Sequence, residues 1–279
     1  PSPAESRLRP TEGRREVIGT ATLFLGDCLE ILPMMPDASI DMIFADPPYG
    51  HRNNDGDLIS KREQALGRGA AGPPRPIAND GAEANALARF LFGAAARLLA
   101  RGGCCCCAGG GGGPESQSDR WSLWMDDHLA FKQMVIWDKG PMGMGWHYRR
   151  SYETVLVASK PGGPCKWHDE SGRIENIIRP GAFGIRKIIP AADDHPTPKP
   201  WQLAAHFIRL HSLAGETILD PFMGSGTTGV ACARMGRRFI GIEIEPKYFD
   251  MACRRIREAQ RQADLFVEAS AEAPTAEQG

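Results

Sequence analysis

The sequence predicts an α/β fold, a doubly wound and mostly parallel sheet with helices on both faces. Three observations predict it. Short apolar runs alternate with helical stretches along most of the chain. The run Asp41–Ala45 reads as a strand apolar on both faces, as a strand covered on both sides requires. Two runs end in an acidic residue followed by a tight turn, at Asp46 and at Asp220.

The elements follow in order. Residues 1–16, rich in Pro, Arg and Glu, read as a loose arm. Thr22–Leu25 is a strand ending at Gly26-Asp27, and Leu29–Met35 a short helix. After the strand Asp41–Ala45, periodicity disappears over residues 50–80, the length of a functional lid. Glu83–Ala100 is a helix stopped by Gly102-Gly103. Cys104–Cys107 form a strand, then Gly109–Gly113 a flexible loop. A helix over Trp121–Phe131 and strands over Gln133–Trp137 and Tyr152–Ala158 come next. Residues 162–194 leave the strand–helix rhythm. Pro200–Ser212 is a helix with proline at its start. Strand Thr217–Asp220, helix Thr227–Met235, strand Arg238–Glu243 and helix Pro246–Ala263 complete the pattern. The Ala/Glu-rich end reads as a disordered tail.

Composition narrows the class. The 279 residues, 42% of them hydrophobic, can bury a sizeable core. A run of about 18 apolar residues is missing, so no membrane span or signal peptide is expected, and the location reads as cytoplasmic. A net charge of −1 requires that any nucleic-acid contact come from a local patch. Four of the eight cysteines are consecutive. Neighbouring strand residues point to opposite faces, and the spacing is not that of paired C-x-x-C ligands. They read as small buried hydrophobes, and no metal is expected.

Strand, Asp220, glycine turn and helix together form a βα unit of the dinucleotide-binding type. Gly224 and Gly226 permit positive φ and leave room for a ligand on the backbone. Glu243 closes the next strand 17 residues beyond Gly226, where a carboxylate can accept from both hydroxyls of a ribose. Pro221-Phe222 stands where G-x-G-x-x-G has its first glycine, and no Gly-Lys-Ser/Thr follows. A plain NAD or phosphate site stays open on this reading; a nucleotide-triphosphatase loop is excluded.

Asp46-Pro47-Pro48-Tyr49 suits an exocyclic amine on a flat ring. Such a nitrogen is a poor nucleophile because its lone pair is delocalised. Asp46 can accept one N–H and the Pro47 carbonyl the other, which favours a pyramidal nitrogen. Prolines stiffen the turn, and Tyr49 can stack on an extruded base. The plain alternative is a strand-ending turn.

Together these segments, about 170 residues apart with the catalytic one first, resemble the β-class DNA amino-methyltransferases, which methylate adenine N6 or cytosine N4. The resemblance implies a Rossmann-like methyltransferase sheet with an inserted target-recognition segment, and S-adenosylmethionine as cofactor. It implies that Asp220, Phe222, Gly224, Ser225, Gly226 and Thr227 hold the methionine part, and that Glu243 holds the ribose. Asp27 and Cys28 would meet the adenine ring, and Asp46 would also lie against the cofactor. His195-Pro-Thr-Pro-Lys-Pro200 resembles a further family segment, in which Thr197 and Lys199 would meet the cofactor carboxylate. Lys199 alone would read as a solvated helix-start lysine.

The implied organisation is a flexible arm over 1–16, one methyltransferase domain over 17–265 and a disordered tail over 266–279. Within the domain lie a mobile loop at about 50–80 and a target-recognition segment at about 162–194. Residues 50–76 hold five Lys/Arg against three Asp/Glu, and residues 141–200 nine against six. Arg52, Lys61, Arg62, Arg149, Arg150, Lys166, Arg173, Arg179, Arg186 and Lys187 are the candidate DNA contacts. The expected activity is methylation of adenine N6 in double-stranded DNA by a bacterial or phage-encoded enzyme. A cognate restriction endonuclease and a homodimer are further partners compatible with it. Cytosine N4, an inactive DNA-binding protein, and a methyltransferase of RNA or protein glutamine are the rival readings.

Overall fold

A computed structural model describes residues 13–50, 77–109, 117–140, 151–182 and 199–271, with side chains described only as far as Gln262. Among them, nine strands form one sheet: β1 (Arg15–Ile18), β2 (Ala21–Leu25), β3 (Ile40–Ala45), β4 (Leu99–Gly109), β5 (Ala130–Asp138), β6 (Tyr152–Ser159), β7 (Ile177–Ile178), β8 (Thr217–Asp220) and β9 (Arg238–Glu243). Their order is β1-β2-β9-β8-β3-β4-β6-β5-β7. The stretch from β2 to β4 is parallel throughout. β1 is antiparallel to β2, β6 lies antiparallel between β4 and β5, and β7 is parallel to β5.

Among the described residues six helices cover the sheet: α1 (Cys28–Met34), α2 (Glu83–Leu98), α3 (Gln117–Asp126), α4 (Trp201–His211), α5 (Thr227–Arg234) and α6 (Pro246–Ala271). The alternation of strand side chains divides the core in two. Met42, Phe44 and Cys106 pack with Phe207 of α4, Val230 of α5 and Ile256 of α6. Ile43, Ala45, Cys105 and Cys107 pack with Ile31 of α1, Phe92 of α2 and Trp121 of α3. Each such Leu, Ile or Phe side chain contributes about 1.5–3 kcal/mol through burial. The four consecutive cysteines are buried, reduced and in a central strand, as expected.

Several boundaries differ from the sequence reading. The expected arm already enters β1 at Arg15, and Arg14 is tied to Asp250 at 2.6 Å. The helix expected over 121–131 lies at Gln117–Asp126. Asp126 there accepts from the Phe131 N–H at 3.0 Å and turns the chain into β5. α6 runs to Ala271, into the span expected to be a disordered tail. The antiparallel pairings of β1 and β6 were not expected, because apolar runs carry no strand direction. Residues 51–76 and 183–198 hold most of the expected lid and much of the target-recognition segment, and they lie outside the described residues.

Candidate active site

Parallel pairing brings four strand ends together. Leu25 pairs with Glu243, Asp220 with Gly241, and Ile43 with Leu219. The turns after β2, β9, β8 and β3 therefore share the carboxyl edge of the sheet, where doubly wound folds bind ligands. Asp27, Glu243, Asp220 and Asp46 all stand on that edge. The Gly26 N–H donates to the Glu243 carbonyl at 2.8 Å, joining two of the turns.

The glycine turn is organised around two buried carboxylates. Asp220 accepts from the Phe222 N–H at 3.0 Å and from the Thr228 hydroxyl at 2.6 Å. Glu243 accepts from the Gly224 N–H at 2.9 Å and from the Glu245 N–H at 2.8 Å. Burial pushes each carboxyl up to about 7, against the pull of these hydrogen bonds. Gly226 has φ 81° and caps α5. A Cβ there would lie 2.8 Å from the Ala252 Cβ, so packing on α6 demands glycine independently of any ligand. Arg255 on α6 holds Ser225 through its hydroxyl at 2.6 Å and its carbonyl at 2.8 Å. Asp27 caps α1 by accepting from the Leu29 N–H at 2.8 Å. Cys28 is buried behind it, its thiol pushed up to about 12 by burial and the Asp27 charge.

The Asp46–Tyr49 turn is a closed network. One oxygen of Asp46 accepts from the Tyr49 hydroxyl, and the other meets the Lys199 ammonium at 2.6 Å. Lys199 also reaches the Tyr49 hydroxyl at 3.0 Å and Glu153 at 3.3 Å. Burial would raise the Glu153 carboxyl, but Lys199 and Lys139 outweigh it and hold it at about 2. The turn is fixed from behind: Asp80 accepts from the N–H groups of Tyr49 and Gly50 at 3.0 and 2.8 Å. Gln117 donates to the Tyr49 carbonyl at 3.2 Å. The Tyr49 ring lies 6.2 Å from that of Trp121.

Two lysines have carboxylate partners that the sequence did not show. Lys199 was expected at the cofactor carboxylate. In the structure it stands at the start of α4, over the end of β3, and neutralises Asp46 and Glu153. Lys166 was expected on DNA. It is instead held by Asp41 at 2.8 Å and Glu216 at 2.6 Å. Asp41 stands near the start of β3 and Asp46 follows its end, so the two lie about 16 Å apart. Arg173 and Arg179 are exposed, and Arg179 pairs with Glu175 at 3.1 Å. Arg52, Lys61, Arg62, Arg149, Arg150, Arg186, Lys187 and Thr197 lie outside the described residues. Sequence reasoning missed Glu153, Asp80 and Arg255. A lone acid inside the apolar run of β6 was the available signal for Glu153. Asn79, at φ 58°, introduces Asp80 in an Asn-Asp-Gly turn that could have marked it.

Comparisons with known proteins agree with this geometry. The chain is 26% identical to DNA adenine methyltransferase YhdJ of Escherichia coli (strain K12) over 271 residues, covering 84% of this chain and 82% of that protein. It is 29% identical to Type II methyltransferase M.HinfI of Haemophilus influenzae over 267 residues, 85% of this chain and 68% of that one. Among solved structures, the M1.HpyAVI–SAM complex superposes with a TM-score of 0.57 at 25% identity, over 84% of this chain and 99% of that one. The cytosine-N4-specific PvuII DNA methyltransferase shares the fold, with a TM-score of 0.63 at 18% identity over 88% and 93% of the two chains. The profile of the DNA methylase family matches residues 40–254, from the start of β3 into α6, and the chain belongs to that family.

Proposed function

We propose that this chain transfers a methyl group from S-adenosylmethionine to the exocyclic N6 of adenine in duplex DNA, acting on a base turned out of the helix. The observation that carries the reading is the position of Asp46-Pro47-Pro48-Tyr49, on the same sheet edge as the Asp220 turn and Glu243. The adenine methyltransferase among the relatives supports N6 over N4. The likeness to a Type II methyltransferase supports a cognate endonuclease as counterpart.

The residues present fit the cofactor. Glu243 is 8% exposed, and each of its oxygens takes one backbone N–H and keeps a lone pair for a ribose hydroxyl. Asp27 and Cys28 adjoin it across the β2–β9 pairing. When bound, S-adenosylmethionine supplies an electrophilic methyl group on a sulfonium sulfur.

Asp46 and the Pro47 carbonyl accept the two N–H bonds of the incoming amine and turn its lone pair toward the methyl group. Both Asp46 oxygens already have partners, so the amine displaces the Tyr49 hydroxyl or Lys199. Glu153 retains Lys199 as that contact is exchanged, which keeps a buried cation paired. With its hydroxyl exchanged off Asp46, the Tyr49 ring stacks on the base. An Asp46 oxygen takes the proton that the methylated nitrogen loses.

Transfer of labelled methyl groups to plasmid DNA tests the assignment. Asp46→Ala should abolish transfer, raising the barrier by about 3–4 kcal/mol, while affinity for S-adenosylhomocysteine stays near wild type. A variant retaining more than roughly a tenth of the rate would contradict it.

A further inference from the structure

The end of the sheet opposite Asp46 carries a second cluster, which the methyl-transfer chemistry does not use. Cys104 of β4, Cys165 in the loop after β6 and His211 at the end of α4 converge there. Their two Sγ atoms and the imidazole nitrogen lie within 4.8 Å of one another. Cys165 Sγ is 3.9 Å from His211 Nδ1. The Lys166 carbonyl oxygen faces the same point, 2.9 Å from Nδ1, 3.5 Å from Cys165 Sγ and 3.9 Å from Cys104 Sγ. Cys104 and His211 are buried, and Cys165 is half-buried. Three distant parts of the chain thus aim soft ligand atoms at one spot.

We propose that Cys104, Cys165 and His211 bind a zinc ion that fastens the loop after β6, where the expected target-recognition segment begins. A tetrahedral zinc, with bonds of about 2.3 Å to sulfur and about 2.0–2.1 Å to nitrogen, sets its ligand atoms about 3.5–3.8 Å apart. The observed spacing reaches that with side-chain shifts of an ångström or less. The Lys166 carbonyl or a water completes the coordination. Two thiolates balance the charge of Zn²⁺, which suits a site with two buried ligands.

Binding follows a defined proton count. Each thiol releases one proton to solvent as its S–Zn bond forms. The imidazole ligates as the tautomer protonated on Nε2, giving up the Nδ1–H that it shares with the Lys166 carbonyl. Occupancy therefore falls as pH drops. The spacing of the cysteines along the sequence pointed away from a metal, because the ligands come together only in three dimensions. The loop they fix is already anchored nearby by Lys166 to Asp41 and Glu216 and by the His168 N–H to the Leu210 carbonyl at 2.9 Å. A metal there would act on the segment that follows this loop, not on the reacting atoms.

The test uses the full chain, purified under reducing conditions, with elemental analysis and Co²⁺ substitution. Wild type should retain one zinc per chain. With Co²⁺ it should show sulfur-to-metal charge transfer and the d–d bands of tetrahedral coordination. Cys165→Ser and His211→Asn, shown folded by circular dichroism, should lose stoichiometric zinc. A chelator should lower the Tm of wild type and leave that of Cys165→Ser unchanged. Three results would overturn the site: wild type without zinc and with only the aqueous Co²⁺ spectrum, full zinc retention by folded Cys165→Ser, or a metal-free Cys104–Cys165 disulfide in the purified protein.

Discussion

Asp46 sits between two donors, a phenol and an ammonium. The Tyr49 hydroxyl donates to one of its oxygens and the Lys199 ammonium holds the other at 2.6 Å, so the proposed acceptor is engaged before any substrate arrives. Tyr49 therefore has two separable roles, a hydroxyl on Asp46 and a ring for the base. Tyr49→Phe keeps the ring and frees one Asp46 oxygen, so turnover should stay within severalfold of wild type. Tyr49→Ala should lose about 1–3 kcal/mol of stacking. Equal damage from Phe and Ala, measured as kcat/KM on DNA, would assign the work to the hydroxyl instead. Glu243 gives a prediction in pH. Its carboxyl is raised to about 7 by burial, above the ordinary value near 4.5. The folded state then holds a proton that the unfolded state has released, so stability is fully present below about pH 4.5 and is lost as pH rises toward 7. The loss approaches about 1.4 kcal/mol per pH unit in that window. Ribose binding favours the ionised form, so S-adenosylhomocysteine affinity should rise as pH passes 7. Calorimetry should show that rise in wild type and a smaller one, left to Asp220, in Glu243→Gln. A pH-independent wild type would place the ribose elsewhere.

The glycine turn shows how one element answers to two demands. Gly226 lets the chain leave β8 and begin α5 at positive φ, and it lets α6 approach to contact distance. Gly226→Ala should cost about 2–4 kcal/mol, from left-handed strain together with overpacking against Ala252. Denaturant unfolding measures it; a change below about 0.5 kcal/mol would mean that α6 moves aside freely. Elements of this kind were legible in the sequence because their signals are local. An apolar run, an acid, a glycine and a helix beginning at Thr227 stand within a dozen residues. The pairing of β6 between β4 and β5 was not legible, since strand direction depends on partners far along the chain. β1 was missed because only four residues long, with one fully buried side chain, it has almost no pattern to read.

Across the whole molecule, the two ends of the sheet do different work. The carboxyl edge gathers Asp27, Asp46, Asp220 and Glu243, and the amino edge gathers Lys166 with Asp41 and Glu216. The site was largely legible because its motifs close strands, and parallel strands carry their closing residues to one edge. Its supporting residues were not, because Glu153, Asp80 and Arg255 act through contacts that bridge separate elements. The partners of Lys166 were hidden for the same reason: a lysine in a polar loop reads as solvent-facing until its half-buried carboxylate partners are seen. In the proposed reaction Asp46 orients adenine N6 and takes its proton while the methyl group passes to it from S-adenosylmethionine. Single-molecule sequencing of a plasmid incubated with the protein and that cofactor tests it most directly. The account predicts N6-methyladenine at one recurring sequence with the wild type, and none with Asp46→Ala. N4-methylcytosine, or unmodified DNA from a folded wild-type protein that binds the cofactor, would contradict it.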